Sequence, residues 1–381
     1  MYKPITPKIA PTILAMLLLT QPAFAAAAVP AASAASPVTQ EATAVETHFA
    51  DVPASHPYAR EIGKAWELGI VAGTGSDSFV PDRAITLYET LILLTRAYTV
   101  EGASSNCYQA ALDSNIVHEW DLQNQENTPQ ERDSFFEKLF RAANIQTWDA
   151  RLVEGAVTAG HGADFDTALA MGLTNPWESY PSTQITRAEA VAAVIRLLES
   201  DQIPPRPDIM SDIQVVIECP IDYVNEALLN LEQQTQKTRA AFADNGWKIV
   251  FGEEHIKQFT AEHHIMAAGL HSPADKTIYL NSGLSFNHEF GHFIDRQTGF
   301  LMEDYFEMEK DSLAEVAGSS YCTTNEREFA AVAMACYMNN RADAEYIGKL
   351  MKAIPQTYAV ICQLVEEGWL PPLACTLPAA Q

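Results

Sequence analysis

The sequence predicts a multidomain chain: an all-α repeat region followed by an α+β domain. Three observations predict it. A helix–loop–helix pattern, marked by Thr-x-x-Glu, recurs three times before residue 200. A Pro-rich junction, Ile203-Pro204-Pro205-Arg206-Pro207, follows as a stiff extended linker. Beyond it, strand-like alternation mixes with helical periodicity around the stretch "NHEFGHFID" at 287–295.

A chain of 381 residues has room for two or more domains, each with its own core. The 24 Lys+Arg against 49 Asp+Glu give a formal net charge of −25. Such a balance argues against nucleic acid as a partner, because phosphate backbones require basic patches. At the N-terminus, Lys3 and Lys8 precede an apolar run that ends at Ala23-Phe24-Ala25. This predicts a secretory signal peptide over 1–25 and export of the mature chain. With no Cys near the cleavage site, a lipid anchor is not expected, nor is a transmembrane segment later in the chain. The closing "TLPAAQ" reads as a plain chain end. The six cysteines (107, 219, 322, 336, 362, 375) permit disulfides in an exported protein, with buried free thiols an equal alternative. None forms a C-x-x-C pair, so a Cys-type zinc site has no support.

Residues 26–46 are Ala/Ser/Pro/Thr-rich and lack the large apolar groups needed to offset chain entropy, which predicts a flexible leader. The repeats then occupy about 47–100, 101–145 and 160–200. In the first, Ile62, Ala65, Trp66 and Ile70 fall at helical spacing, and Thr86 with Glu89 forms a capping box before a second helix. Thr128 with Glu131, and Thr186 with Glu189, are read as its counterparts. The "GTGSDSF" at 73–79 is a turn, not a phosphate loop, because Pro81 follows it instead of a helix start. These units resemble S-layer homology (SLH) repeats, modules that bind secondary cell-wall polymers at the bacterial surface. The "ITRAE" at Ile185–Glu189 carries the likeness most fully, against "ITLYE" and "TPQE" in the other two. The resemblance assigns Arg187 to an anionic wall sugar, and marks the repeats as degenerate where the Arg is absent.

After the junction, a long amphipathic helix is expected over 221–243, with Val224, Leu228 and Leu231 along one stripe. "WKIVFG" (247–252) and "KTIYLN" (276–281) are expected strands, the second half-exposed at the sheet edge. An edge strand there would pair with an extended peptide substrate.

His288 and His292 stand at i and i+4, about 5–6 Å apart on one helix face. Two imidazoles so placed converge on Zn²⁺, with Glu289 beside the metal as general base. Gly291 costs helix stability and points to close packing or open space by the metal. Asp295, one turn past His292, suits a hydrogen bond that orients a ligand imidazole, with a plain surface carboxylate as the bland alternative. A third ligand is needed, and Glu328 supplies it from a helix expected to be capped by Thr323-x-x-Glu326. His263, His264 and His271 are read as loop or edge histidines, and Leu301–Lys310 as a solvated loop.

"HEFGHFID" followed by "Y-x-x-T-N-E-x-E-F" resembles the anthrax lethal factor catalytic domain and the related secreted Pro-Pro endopeptidases, over roughly 205–370. The resemblance implies a zincin-like fold holding one Zn²⁺ per chain, with His288, His292 and Glu328 as ligands and Glu289 as base. It makes Tyr321 the phenol that stabilises the oxyanion. Position 332, often acidic in such helices, is Val here. Together these features lead to the expectation of a secreted, wall-associated zinc metalloendopeptidase acting on peptide or protein substrates, proline-flanked bonds included. The alternative is a non-catalytic wall-binding surface protein with an inactive protease-like domain. A released toxin-like effector has no receptor-binding segment to support it.

Overall fold

The computed structural model describes residues 48–75, 77–122, 127–153, 162–175, 180–202, 206–264, 266–300 and 303–377. The expected signal peptide, the leader and the Ile203–Pro205 part of the junction lie outside these residues. The chain divides into two compact units, one comprising residues up to 142 and 177–200, the other 143–176 and 201–381.

In chain order come α1 (Ala59–Glu67), α2 (Leu87–Ala97), α3 (Cys107–Asp113), α4 (Arg132–Ala142), α5 (Ala163–Ala170) and α6 (Arg187–Leu198). All but α5 belong to the first unit. Thr86 and Thr186 form full capping boxes with Glu89 and Glu189, which fixes where α2 and α6 begin. The expected third box is in a different register. α4 starts at Arg132, so Glu131, not Thr128, stands directly before it, as Thr86 and Thr186 stand before α2 and α6. Backbone hydrogen bonds explain the register. Ile85 N–H donates to Ile185 O (3.0 Å), Ile185 N–H to Gln130 O (3.0 Å), and Gln130 N–H to Ile85 O (2.9 Å), closing a three-membered ring. Two residues on, Leu87, Arg132 and Arg187 donate to Thr128, Thr183 and Arg83, a second ring that runs in the opposite cyclic sense. Arg132 is therefore the positional counterpart of Arg187, and its guanidinium meets Glu189 at 2.6 Å as Arg187 meets Glu89 at 2.6 Å. Matching Thr-x-x-Glu alone shifts this segment by three residues.

The second unit adds α7 (Val224–Glu232), α8 (Gln236–Asp244), α9 (Glu254–His263), α10 (Phe286–Thr298), α11 (Glu303–Ala317), α12 (Glu326–Asn340), α13 (Ala344–Ala353) and α14 (Pro355–Glu366). Its sheet consists of β1 (Gln214–Ile217), β2 (Lys248–Phe251), β3 (Gly269–Ser272) and β4 (Thr277–Leu280), in the order β1-β2-β4-β3. β1, β2 and β4 run parallel, and β3 returns antiparallel to β4. On one face, Ile249, Phe251, Ile278 and Leu280 join Phe286, Phe290 and Phe293 of α10 in the main core. On the other, Val250 and Tyr279 pack with Ile256 of α9.

Three expectations change. The helix over 221–243 is broken into α7 and α8, because the Thr235 side chain accepts from Thr238 N–H and starts a new helix. The strand at 276–281 is not the edge: β4 is buried at all four positions and β3 lies outside it. The Leu301–Lys310 segment, where described, is helical in α11, not loop. There the buried Glu309 accepts from Gln356 N–H, Thr357 N–H and the Thr357 hydroxyl, so it caps α14 from a distance. Residues 143–176, with α5, fall in the second unit. Trp148 and Leu152 belong to its core, and Asn225 on α7 bonds the backbone of Thr147 and Asp149. All six cysteines are free thiols. Among the described residues, no helix is long and apolar enough to cross a membrane.

Candidate metal centre

α10 divides its sides between core and chemistry. Phe286, Phe290 and Phe293 are buried in the core, while His288 and His292 remain half-buried. Gly291 meets α12: a Cβ built there would lie 3.2 Å from both the Cα and the carbonyl oxygen of Ala331. The Asn287 side-chain amide donates a hydrogen bond to Asn339 Oδ1 of α12 (2.5 Å). The glycine is thus a close-packing residue.

α12 begins at a cap that differs from the expected one. Asn325, not Thr323, accepts from Arg327 N–H (3.0 Å) and Glu328 N–H (3.1 Å), which sets Glu328 in the first turn. Its Oε2 stands 3.1 Å from His288 Nε2 and 3.4 Å from His292 Nε2. Burial alone would raise the Glu328 carboxyl, but its bonds to His288 and His292 and their charge hold it well below the ordinary range. These three side chains form the candidate metal cluster among the described residues, with all donor atoms within 4.8 Å of one another. Two imidazole nitrogens and a carboxylate oxygen this close need a proton or a cation between them, and the donor set suits zinc.

Glu289 is 7% exposed. Burial, reinforced by Glu328, pushes its carboxyl up to about 7 against the charge of His288, and the main-chain N–H of His271 donates to it. Tyr321 lies on the short 3-10 turn Ser320–Thr323, its ring 5.6 Å from that of His288. Burial and the carboxylates of Glu328 and Glu289 push its phenol up to about 12, and its hydroxyl hydrogen-bonds Glu328. Asp295 is buried, with Oδ1 unpartnered; burial raises its carboxyl against the charges of His292 and Arg327.

His271 is an edge-strand residue, as expected, and also a neighbour of the cluster. Its ring stacks on Trp247 at 4.8 Å and lies 5.7 Å from the His292 ring. Burial first, then the charge of His292, lowers it to about 4. His263 ends α9 and His264 follows it, and neither joins the cluster. Gly269 and Asn287 went unassigned in the sequence because nothing local ties a strand glycine or a buried amide to a metal site.

In the first unit, Arg187 is 8% exposed and donates to Phe79 O (2.9 Å) and Glu89 (2.6 Å), with its guanidinium over the Phe79 ring at 4.8 Å. It also lines a cavity of about 460 Å³ with Tyr88, Glu89 and Arg96.

Residues 48–89 match the S-layer homology domain. The match covers α1 and the start of α2, including the Thr86–Glu89 box, and places one SLH domain in the first unit. An SLH domain accords with cell-surface association. No curated protein matches the chain.

Proposed function

We propose that the chain is a secreted, wall-associated zinc metalloendopeptidase that hydrolyses extracellular or surface proteins, proline-flanked bonds among them. The observation that carries this reading is the meeting of His288, His292 and Glu328 from two helices beside the buried Glu289 carboxyl. His288, His292 and Glu328 would hold one Zn²⁺ per chain, which when bound supplies Lewis-acid polarisation of the scissile carbonyl and of water. Glu289, its carboxyl buried beside the cluster, takes a proton from the attacking water and delivers it to the leaving amine. The Tyr321 hydroxyl, kept protonated, donates to the oxyanion as charge develops. Asp295, buried and short of a partner, is suited to orient His292.

The N-terminal segments at 47–100, 101–145 and 160–200 are read as three SLH-type repeats that bind secondary cell-wall polymer. The cyclic hydrogen bonds of Ile85, Gln130 and Ile185 support equivalence of three such segments. Arg187 is the proposed polymer contact through the cavity it lines, although Glu89 already balances its charge. The secretory leader at 1–25 completes the reading.

The test pairs elemental analysis for zinc with cleavage of a diverse peptide library, for the wild type and Glu289→Ala. One zinc per chain in both, with cleavage only in the wild type, is the expected outcome. A wild-type chain that binds no zinc overturns the reading, and leaves a non-catalytic wall-binding protein in its place.

A further inference from the structure

Gly269 pairs with Leu280 as an ordinary residue of β3, and its φ lies outside the positive region that favours glycine. A glycine in a strand weakens it, since it packs no side chain and loses more chain entropy. The reason for it here is space. A Cβ built on Gly269 would stand 2.6 Å from Glu289 Cγ, 2.6 Å from Oε1 and 2.9 Å from Cδ. Ordinary carbon contacts lie at about 3.5–4.0 Å. The Glu289 side chain has little room to swing aside, being 7% exposed. It is also held by the main-chain N–H of His271, two residues along the same strand. The edge strand thus grips the carboxylate in two ways, through a donated hydrogen bond and through a side chain left out.

We propose that Gly269 is a positioning residue, whose missing side chain is the volume that holds the Glu289 carboxylate against β3 in reach of the metal cluster. The steric relation is independent of any reaction; its catalytic consequence rests on the function proposed above. Any side chain at 269 displaces the base while leaving His288, His292 and Glu328 where they are.

The experiment is a double-mutant cycle in the full-length chain: wild type, Gly269→Ala, Glu289→Ala and the double variant. Thermal unfolding, zinc content, kcat and KM are measured on each. With Glu289 present, Gly269→Ala is expected to lower Tm by at least about 2–4 °C. With Ala at 289 the colliding atoms are gone, so the same change leaves Tm level or raises it by restricting the unfolded chain. In catalysis, Gly269→Ala is expected to lower kcat by about 10²-fold, as for a 1 Å displacement, with KM within about twofold and zinc unchanged. Should Gly269→Ala not fold, recovery of folding in the double variant reports the same collision. Equal Tm shifts in both backgrounds overturn the steric relation. Full kcat in Gly269→Ala overturns the positioning role even where Tm is coupled. A wild type without zinc or cleavage removes the reaction and the role with it, while the Tm cycle still decides the contact.

Discussion

Gly291 and Ala331 meet backbone to backbone where α10 crosses α12, close enough that one methyl on Gly291 would lie 3.2 Å from Ala331 Cα. His288 and His292 flank Gly291 on α10, and Glu328 precedes Ala331 by almost one turn of α12. The crossing therefore sets the gap between the imidazoles and the carboxylate, now 3.1 and 3.4 Å.

Gly291→Ala should push the helices apart and loosen the cluster without touching a donor atom. The expected cost is about 1–3 kcal/mol of stability from overpacking. Zinc affinity should fall by about 10–100-fold, the scale of losing a supporting residue. Competitive zinc titration with a chromophoric chelator checks this, and wild-type affinity in the variant would show that the crossing does not set the gap.

Glu328→Gln keeps the size of the side chain and removes the charge of the proposed third ligand. Zinc affinity should drop further than in Gly291→Ala, past the roughly 10–100-fold scale of indirect effects, while the far-ultraviolet circular dichroism stays that of the wild type. Retention of zinc with unaltered affinity would move the third ligand elsewhere.

The first unit should weaken in acid through Asp51. Partial burial pushes this carboxyl up, but Phe79 N–H (2.8 Å), Val80 N–H (2.7 Å) and the Ser78 hydroxyl (2.9 Å) donate to it and hold it below its ordinary 3.8. A carboxyl lowered on folding adds stability that is fully present above its unfolded value and is lost as pH falls through its folded value. Unfolding midpoints between about pH 5 and about pH 2 should therefore fall less steeply in Asp51→Asn than in the wild type, from a lower starting point. Parallel curves would count against a native-state role for these three bonds.

The parts legible in the sequence were those written in short spacings. The i, i+4 histidines, the adjacent Glu289 and the Thr86–Glu89 and Thr186–Glu189 boxes are each closed within one helical turn, so local pattern suffices. The parts that were not legible depended on partners far along the chain. The Gln130 segment takes its register from bonds to Ile85 and Ile185, so its Thr128-x-x-Glu131 echo misled by three residues. β3 offers only Gly-Leu-His-Ser, too short and too weak in strand formers to stand out until β4 pairs with it.

By itself, then, the sequence determined the residue types for a candidate metal centre, the helix that carries two of them, and the match of 48–89 to an SLH domain. Periodicity and capping act within a few residues and survive outside any fold. Only the tertiary structure decided that Glu328 meets both histidines, that Asn325 turns it there, and that Gly291 and Gly269 are the gaps into which Ala331 and Glu289 fit. It also decided that residues 143–176 join the second unit. Those outcomes depend on volume and distance between segments remote in sequence, which no local pattern encodes.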